Sequence, residues 1–198
     1  MKKQKVAPIE TLTDSNAVRL ACSGDSEAFS YLYEQNVKRI YNYIYYRIGS
    51  EDDAEDLTAR VFHRAFTHIN NYVEKGVPFT AWLYRIAHNL TANWYRDKHR
   101  RREVSLDDHF DLPHLGELPE RTIEMNQEKE LLLKAIRRLP ADRQELLLLK
   151  FLEDLSNGQI AVIMGRTEGA IKSLYHRSLI SLREELKLVS GNDTINHR

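Results

Sequence analysis

An all-α chain of two helical domains, the second containing a helix-turn-helix, is predicted by three observations. Apolar residues recur at three- and four-residue spacing through nearly every segment, with no strand alternation and no internal repeat. The composition breaks once, at an acidic stretch holding two prolines and a glycine over residues 103–124. Residues 155–177, LSNGQIAVIMGRTEGAIKSLYHR, carry complete helix punctuation. Ser156 and Gln159 are spaced as a capping box, with Leu155 and Ile160 placed as a hydrophobic staple. Gly165 supplies the left-handed stop, and Thr167 can cap a second helix. A short helix, a glycine turn and a polar-faced helix is the arrangement that puts side chains into a DNA major groove.

The elements follow in order. Residues 1–13 read as a flexible tail and 14–23 as a short helix. Residues 26–48 place Phe29, Leu32, Tyr33, Val37, Ile40, Ile44 and Ile48 on one stripe, ended by Gly49. Ser50 can cap the next helix, 51–70, whose apolar face is Ala54, Leu57, Val61, Phe62 and Ala65. Residues 71–78, NYVEKGVP, read as a loop. A third long helix over 79–101 turns Phe79, Trp82, Leu83, Ile86, Leu90 and Trp94 inward, and a first domain is expected over 14–102. Residues 103–125 read as an extended, mobile acidic linker. Helical pattern resumes near Gln127 with Leu131, Leu132, Ala135, Ile136 and Leu139. Pro140 breaks it, and a helix over 142–153 carries Leu146, Leu147, Leu149, Phe151 and Leu152. With the helix-turn-helix these form a second domain over 126–190, whose last run, Leu179, Leu182 and Leu186, is expected to pack back on it. Residues 191–198 read as a frayed tail.

Composition narrows the function. The 198 residues carry 29 basic and 29 acidic side chains, so a uniformly basic nucleic-acid coat is excluded. The charge is segregated instead. Residues 96–102, RDKHRRR, have a net charge of +4 and are followed directly by a net −6 over 103–124. A basic helix end beside Trp94 and Tyr95 suits phosphates and unstacked bases. Asn89 and Asn93 share one helix face and offer donor and acceptor together, so they can read base edges. The one cysteine, Cys22, lies in an apolar helix pattern and reads as buried filler in a reducing cytoplasm. No apolar run approaches the ~20 residues of a membrane span, and the lysine-rich start lacks the apolar core of a signal peptide. The eight histidines are scattered, and no metal-ligand spacing, phosphate loop or nucleophile elbow is present. An enzyme is therefore not expected, and neither a cofactor, a metal nor a small-molecule substrate is.

Three motifs together resemble the extracytoplasmic-function (ECF) class of bacterial RNA polymerase sigma factors, over roughly residues 15–188. They are DAEDLTARVFHRAF at 53–66, PFTAWLYRIAHNLTANWYRDKHRRR at 78–102, and LPADRQELLLLKFLEDLSNGQIAVIMGRTEGAIKSLYHR at 139–177. The resemblance implies a first, region 2-like domain that binds the clamp helices of the polymerase β′ subunit and the −10 promoter element. It implies a second, region 4-like domain that binds the −35 element and the β flap, and a linker that threads toward the RNA exit channel. Carried onto this chain, it assigns polymerase contact to Asp53, Asp56, Leu57 and Arg60. Asn89, Asn93, Trp94, Arg96, Lys98, Arg100 and Arg101 fall to the −10 element, with Asn93 and the 71–78 loop capturing a flipped base. Arg166, Thr167, Glu168, Lys172, Ser173, His176 and Arg177 fall to the −35 element. The chain departs from the family pattern at Ala59 and Arg60, where a glutamine and an acid are usual, and at Leu174, where many relatives carry arginine. Ile171, Leu174 and Tyr175 are expected to face inward.

Core RNA polymerase, promoter DNA and an anti-sigma factor are the expected partners. The anti-sigma factor is expected to hold the two domains together off DNA, because the linker is long and flexible and the apolar surfaces for polymerase must be covered. The alternative, a two-domain helix-turn-helix regulator that does not bind polymerase, predicts neither the basic helix end, the asparagine pair nor the acidic linker.

Overall fold

The computed structural model describes residues 13–73, 78–104 and 131–193, and every regular element among them is helical. In chain order these are α1 (Asp14–Cys22), α2 (Ser26–Ile48), α3 (Glu51–His68) with a short 3-10 turn (Ile69–Asn71), and α4 (Phe79–Val104). Then follow α5 (131–137), α6 (Ala141–Phe151), α7 (Asn157–Met164) and α8 (Glu168–Asp193). Residues 1–12, 74–77, 105–130 and 194–198 lie outside the described residues, and α8 runs three residues into the stretch read as a frayed C-terminal tail.

Local chemistry sets the boundaries. Asp25 starts α2 by accepting from the amides of Glu27 and Ala28, as an N-cap carboxylate does for orphan helix donors. Gly49 ends α2 with φ at 70°, a conformation in which a Cβ would clash with the backbone. Its amide returns to the Tyr45 carbonyl, and Ser50 immediately caps α3 through Asp53 N. The reversal folds α3 back along α2, and α4 packs on both. The predicted stripe of α3 is buried in full at Ala54, Leu57, Val61, Phe62 and Ala65. On α4, Phe79, Leu83 and Leu90 are buried while Trp82, Ile86 and Trp94 are half-buried. Trp82 packs against Tyr72 and Phe79, with ring centroids 5.1 and 5.5 Å away.

Two helices depart from their predicted pattern, for one reason. At the end of α2, Tyr43, Ile44, Tyr45, Tyr46, Arg47 and Ile48 are all buried, so the helix there has no solvent face. On α6, six consecutive residues, Gln144 to Leu149, are buried. A helix buried all round has neighbours on every side, and here the two ends of the chain supply them to each other. Helix α6 packs on α8 within its own half and on α2 across the chain, while α7 lies against α4. Beyond the two helical domains read from the sequence, the N-terminal and C-terminal helices share a direct interface.

Candidate nucleic-acid and polymerase interface

The helix-turn-helix is built as its residues dictate. Ser156 Oγ accepts from Gln159 N at 3.2 Å, and the Gln159 side chain accepts from Ser156 N at 2.7 Å, closing the capping box. Ile160 is fully buried and Leu155 nearly so, which suits a staple. Gly165 adopts φ 64° and directs its amide to Ala161 O. Thr167 Oγ1 then accepts from Ala170 N at 3.2 Å and starts α8. Ile171 and Leu174 anchor α8 inward, with Tyr175 half-buried beside them. Leu174 is a core residue here, so the helix spends that position on packing rather than on a cation facing outward.

The opposite side of α8 is open. Arg166, Thr167, Glu168, Lys172, Ser173, His176 and Arg177 are all exposed. Internal contacts hold several of these side chains. Lys172 Nζ lies 2.9 Å from Glu168 Oε1, Arg166 pairs with Asp142 at 3.3 Å, and Arg177 Nε donates to Ser173 O at 3.3 Å. Such exposed pairs are weak and leave the cations free to exchange onto phosphates.

Helix α4 carries the second candidate surface. Asn89 is exposed and Asn93 half-exposed on one face. Asn93 Oδ1 accepts from Arg96 at 2.7 Å, which engages the amide oxygen. Lys98 Nζ sits 4.5 Å from the Trp94 ring centroid, and Tyr95 meets Trp94 edge-on at 5.0 Å. A cation over an indole and a second ring at its edge both orient Trp94. Arg96 and Arg100 are exposed; the Arg101 side chain lies outside the described residues.

On α3, Asp56 and Arg60 are exposed and 3.5 Å apart, an i,i+4 pair that turns the unusual arginine into the acid's own partner. Asp53 is half-exposed in the capped first turn. Leu57 is 1% exposed and belongs to the core. Its assignment as an apolar anchor for polymerase is corrected: burial of the α3 stripe against α2 and α4 leaves it unreachable.

Three features escaped the sequence. The first is a groove of about 460 Å³ along α8, lined by Leu179, Leu182, Arg183, Leu186 and Lys187. Leu179 is 37% exposed there and Leu182 buried, so the run expected to pack inward is split. The second is Cys22, only half-buried, whose thiol donates to Ile69 O at 3.2 Å and is pushed up in pKa by burial.

The third is a polar cluster at the interface between the halves. Glu145 of α6 is 2% exposed, and one carboxylate oxygen, Oε1, accepts from three donors. These are Tyr43 Oη at 2.6 Å and Arg47 Nη1 at 3.2 Å from α2, and His88 Nδ1 at 2.6 Å from α4. Arg47 also donates to Tyr43 Oη at 2.9 Å, and Tyr95 donates to the Arg47 carbonyl. Burial pushes the Glu145 carboxyl up, but the Arg47 charge and the His88 and Tyr43 hydrogen bonds outweigh it and hold the pKa below its usual value. A second bridge, Arg39 to Glu153 at 2.7 Å, crosses at the same interface. No signal in the sequence marks Glu145, because its donors lie about a hundred residues away on α2 and 57 away on α4.

Among the described residues, no helix is long and apolar enough to cross a membrane, and no three potential metal ligands gather.

Comparison with known proteins agrees with this layout. The family model for sigma-70 region 2 matches residues 32–101, and the one for sigma-70 region 4 matches residues 129–182. The chain is 38% identical over 175 residues to the ECF RNA polymerase sigma factor BldN of Streptomyces coelicolor, covering 85% of this chain and 66% of that protein. It is 30% identical over 195 residues to the ECF RNA polymerase sigma factor SigE of Mycolicibacterium smegmatis, covering 91% of this chain and 75% of that one. In fold it is similar to the sigma factor RpoE of Bartonella quintana, solved in complex with the anti-sigma factor NepR. The TM-score is 0.69 at 23% identity, covering 80% of this chain and 96% of that one. Two matched regions in family order, with relatives at 38% and 30% identity, place the chain among the ECF RNA polymerase sigma factors, the initiation factors that bind core RNA polymerase and direct it to promoters.

Proposed function

We propose that the two halves divide the promoter between them, with residues 14–102 acting on polymerase and the −10 element and residues 126–190 on the −35 element. The observation that carries this reading is the exposed polar face of α8 beyond a fully capped helix-turn-helix. Lys172, Ser173, His176 and Arg177 read or grip the −35 major groove, while Arg166, Thr167 and Glu168 set the helix entry. On α4, the half-exposed Asn93, with the exposed Asn89 on the same face, takes a −10 base edge. Trp94, oriented by Lys98 and Tyr95, stacks on the opened strand, and Arg96, Lys98, Arg100 and Arg101 hold its phosphates. Stacking and charge on the single strand offset an unpairing cost of a few kcal/mol per base, so opening needs no covalent chemistry and the chain acts without being an enzyme. Asp53, Asp56 and Arg60 present a charged α3 surface to the β′ clamp helices, and the α8 groove accepts the β flap.

The chain works in the cytoplasm under an anti-sigma factor. The support is that the neighbouring structure in fold was solved with one bound. Run-off transcription with purified core polymerase over a genomic fragment library tests the reading. Starts sharing two spaced upstream elements are expected. A chain that neither binds core nor gains a start site would be a conventional DNA-binding regulator.

A further inference from the structure

The two halves meet through a buried carboxylate, and this contact is incompatible with the promoter geometry just assigned. Elements centred at −10 and −35 lie about 25 base pairs apart, or roughly 85 Å along B-DNA at 3.4 Å per base pair. In the structure α7, the first helix of the helix-turn-helix, lies directly on α4, and α8 packs on α7. Packed helix axes are about 10 Å apart, so α4 and α8 are separated by roughly two such layers. Adding the entire length of α4, about 39 Å for its 26 residues, still falls well short of the promoter span. The halves must part before both elements are read.

We propose that the free chain is held closed, and thereby off promoters, by Glu145 acting as an intramolecular latch in the Tyr43–Arg47–His88 socket. This rests on the division of the promoter between the halves proposed above. The latch has the properties the role demands. It joins α6 to both α2 and α4, beside the packing of α7 on α4. Its side chain and that of Arg47 are 3% and 5% exposed, so they are dry in the closed form and regain water when it opens. Buried ion pairs contribute little net stability but are costly to break one-sidedly. Removing the charge from one partner therefore favours separation, where water solvates the other. Arg47 Nε already has no hydrogen-bond partner in the closed form, so the socket is incompletely satisfied and poised to release. The Arg39–Glu153 bridge lies nearer solvent and adds a weaker second contact.

Energy transfer between dyes tests this without polymerase. They are placed on Arg64→Cys in α3 and Glu184→Cys in α8, in a Cys22→Ser background. The free chain is expected to show a dominant high-transfer state, and Glu145→Gln to move most molecules to low transfer while the helical circular dichroism is retained. The apparent Kd for core polymerase is inversely proportional to the open fraction. Core should therefore bind Glu145→Gln at least threefold more tightly.

A parent chain already in the low-transfer state, or high transfer unchanged in Glu145→Gln, overturns the latch. Should Glu145→Gln unfold the C-terminal helices, Tyr43→Phe and His88→Gln probe the socket from α2 and α4, and unchanged transfer in both overturns it equally. Failure of the sigma reading is distinguishable: core polymerase would then bind none of these variants, whatever the dyes report.

Discussion

Single side chains set both the boundaries of the helix-turn-helix and the chemistry of the interface. Ser156 satisfies the orphan Gln159 amide at the start of α7, so Ser156→Ala is expected to cost about 1 kcal/mol in urea unfolding. The sign of the Glu145 effect is also definite. Its folded pKa is depressed by Arg47, His88 and Tyr43 against the opposing effect of burial. A depressed carboxyl contributes stability above its unfolded pKa and loses it as pH falls through the folded value. Association of the halves is therefore expected to weaken below about pH 4, the ordinary carboxylate range, as a fall in energy transfer. Glu145→Gln is expected to remove that acid dependence. The histidine and arginine facing Glu145 both favour its ionised form, so no facing group reverses this sign.

At the scale of the element, α8 and α4 each combine one buried face with one that is free to contact nucleic acid. On α8, Ile171 and Leu174 are buried while Lys172, His176 and Arg177 point outward. If Arg177 or Lys172 contacts a guanine edge, its replacement by alanine costs about 1–3 kcal/mol and relaxes specificity at one position. If it contacts phosphate, the loss is uniform across sequences and the salt slope falls by about one. Binding of holoenzyme to −35 variants at several salt concentrations separates the two. On α4, Lys98→Ala removes the cation over Trp94. It is expected to slow promoter opening, read by permanganate reactivity, more than it weakens closed-complex binding. Core positions behave differently: Leu83, fully buried, should cost about 2–5 kcal/mol as alanine and lower polymerase binding only through the folded fraction.

Across the whole molecule, a direct interface joins two sequence-distant halves. Tyr43, Arg47, His88 and Glu145 form a connected hydrogen-bonded set between α2, α4 and α6. Calorimetry of the free chain is expected to show one transition and Glu145→Gln two, because uncoupled halves melt separately. Charge follows the same logic. A net charge of zero gives no general pull toward DNA, so in the proposed reading attraction falls to the basic end of α4 and the outer face of α8.

The helices and the family were legible in the sequence because both rest on local chemistry. Ser156, Gln159, Gly165 and Thr167 act within four residues of themselves, and the α3 stripe repeats with the helix period. The exposed face of α8 was legible for the same reason, since whatever the period does not bury it presents outward. Leu57 was misassigned because one residue type serves equally as core and as contact, and only packing against α2 and α4 separates them. The burial of Tyr43, Tyr46 and Arg47, the split of the Leu179–Leu186 run and the role of Glu145 depended on tertiary structure. Sequence by itself determined which residues are helical and which face of each helix is apolar. The tertiary structure alone decided that α6 lies on α2 and α7 on α4, because a buried carboxylate and its donors are brought together by packing across a hundred residues, a separation that no local periodicity encodes.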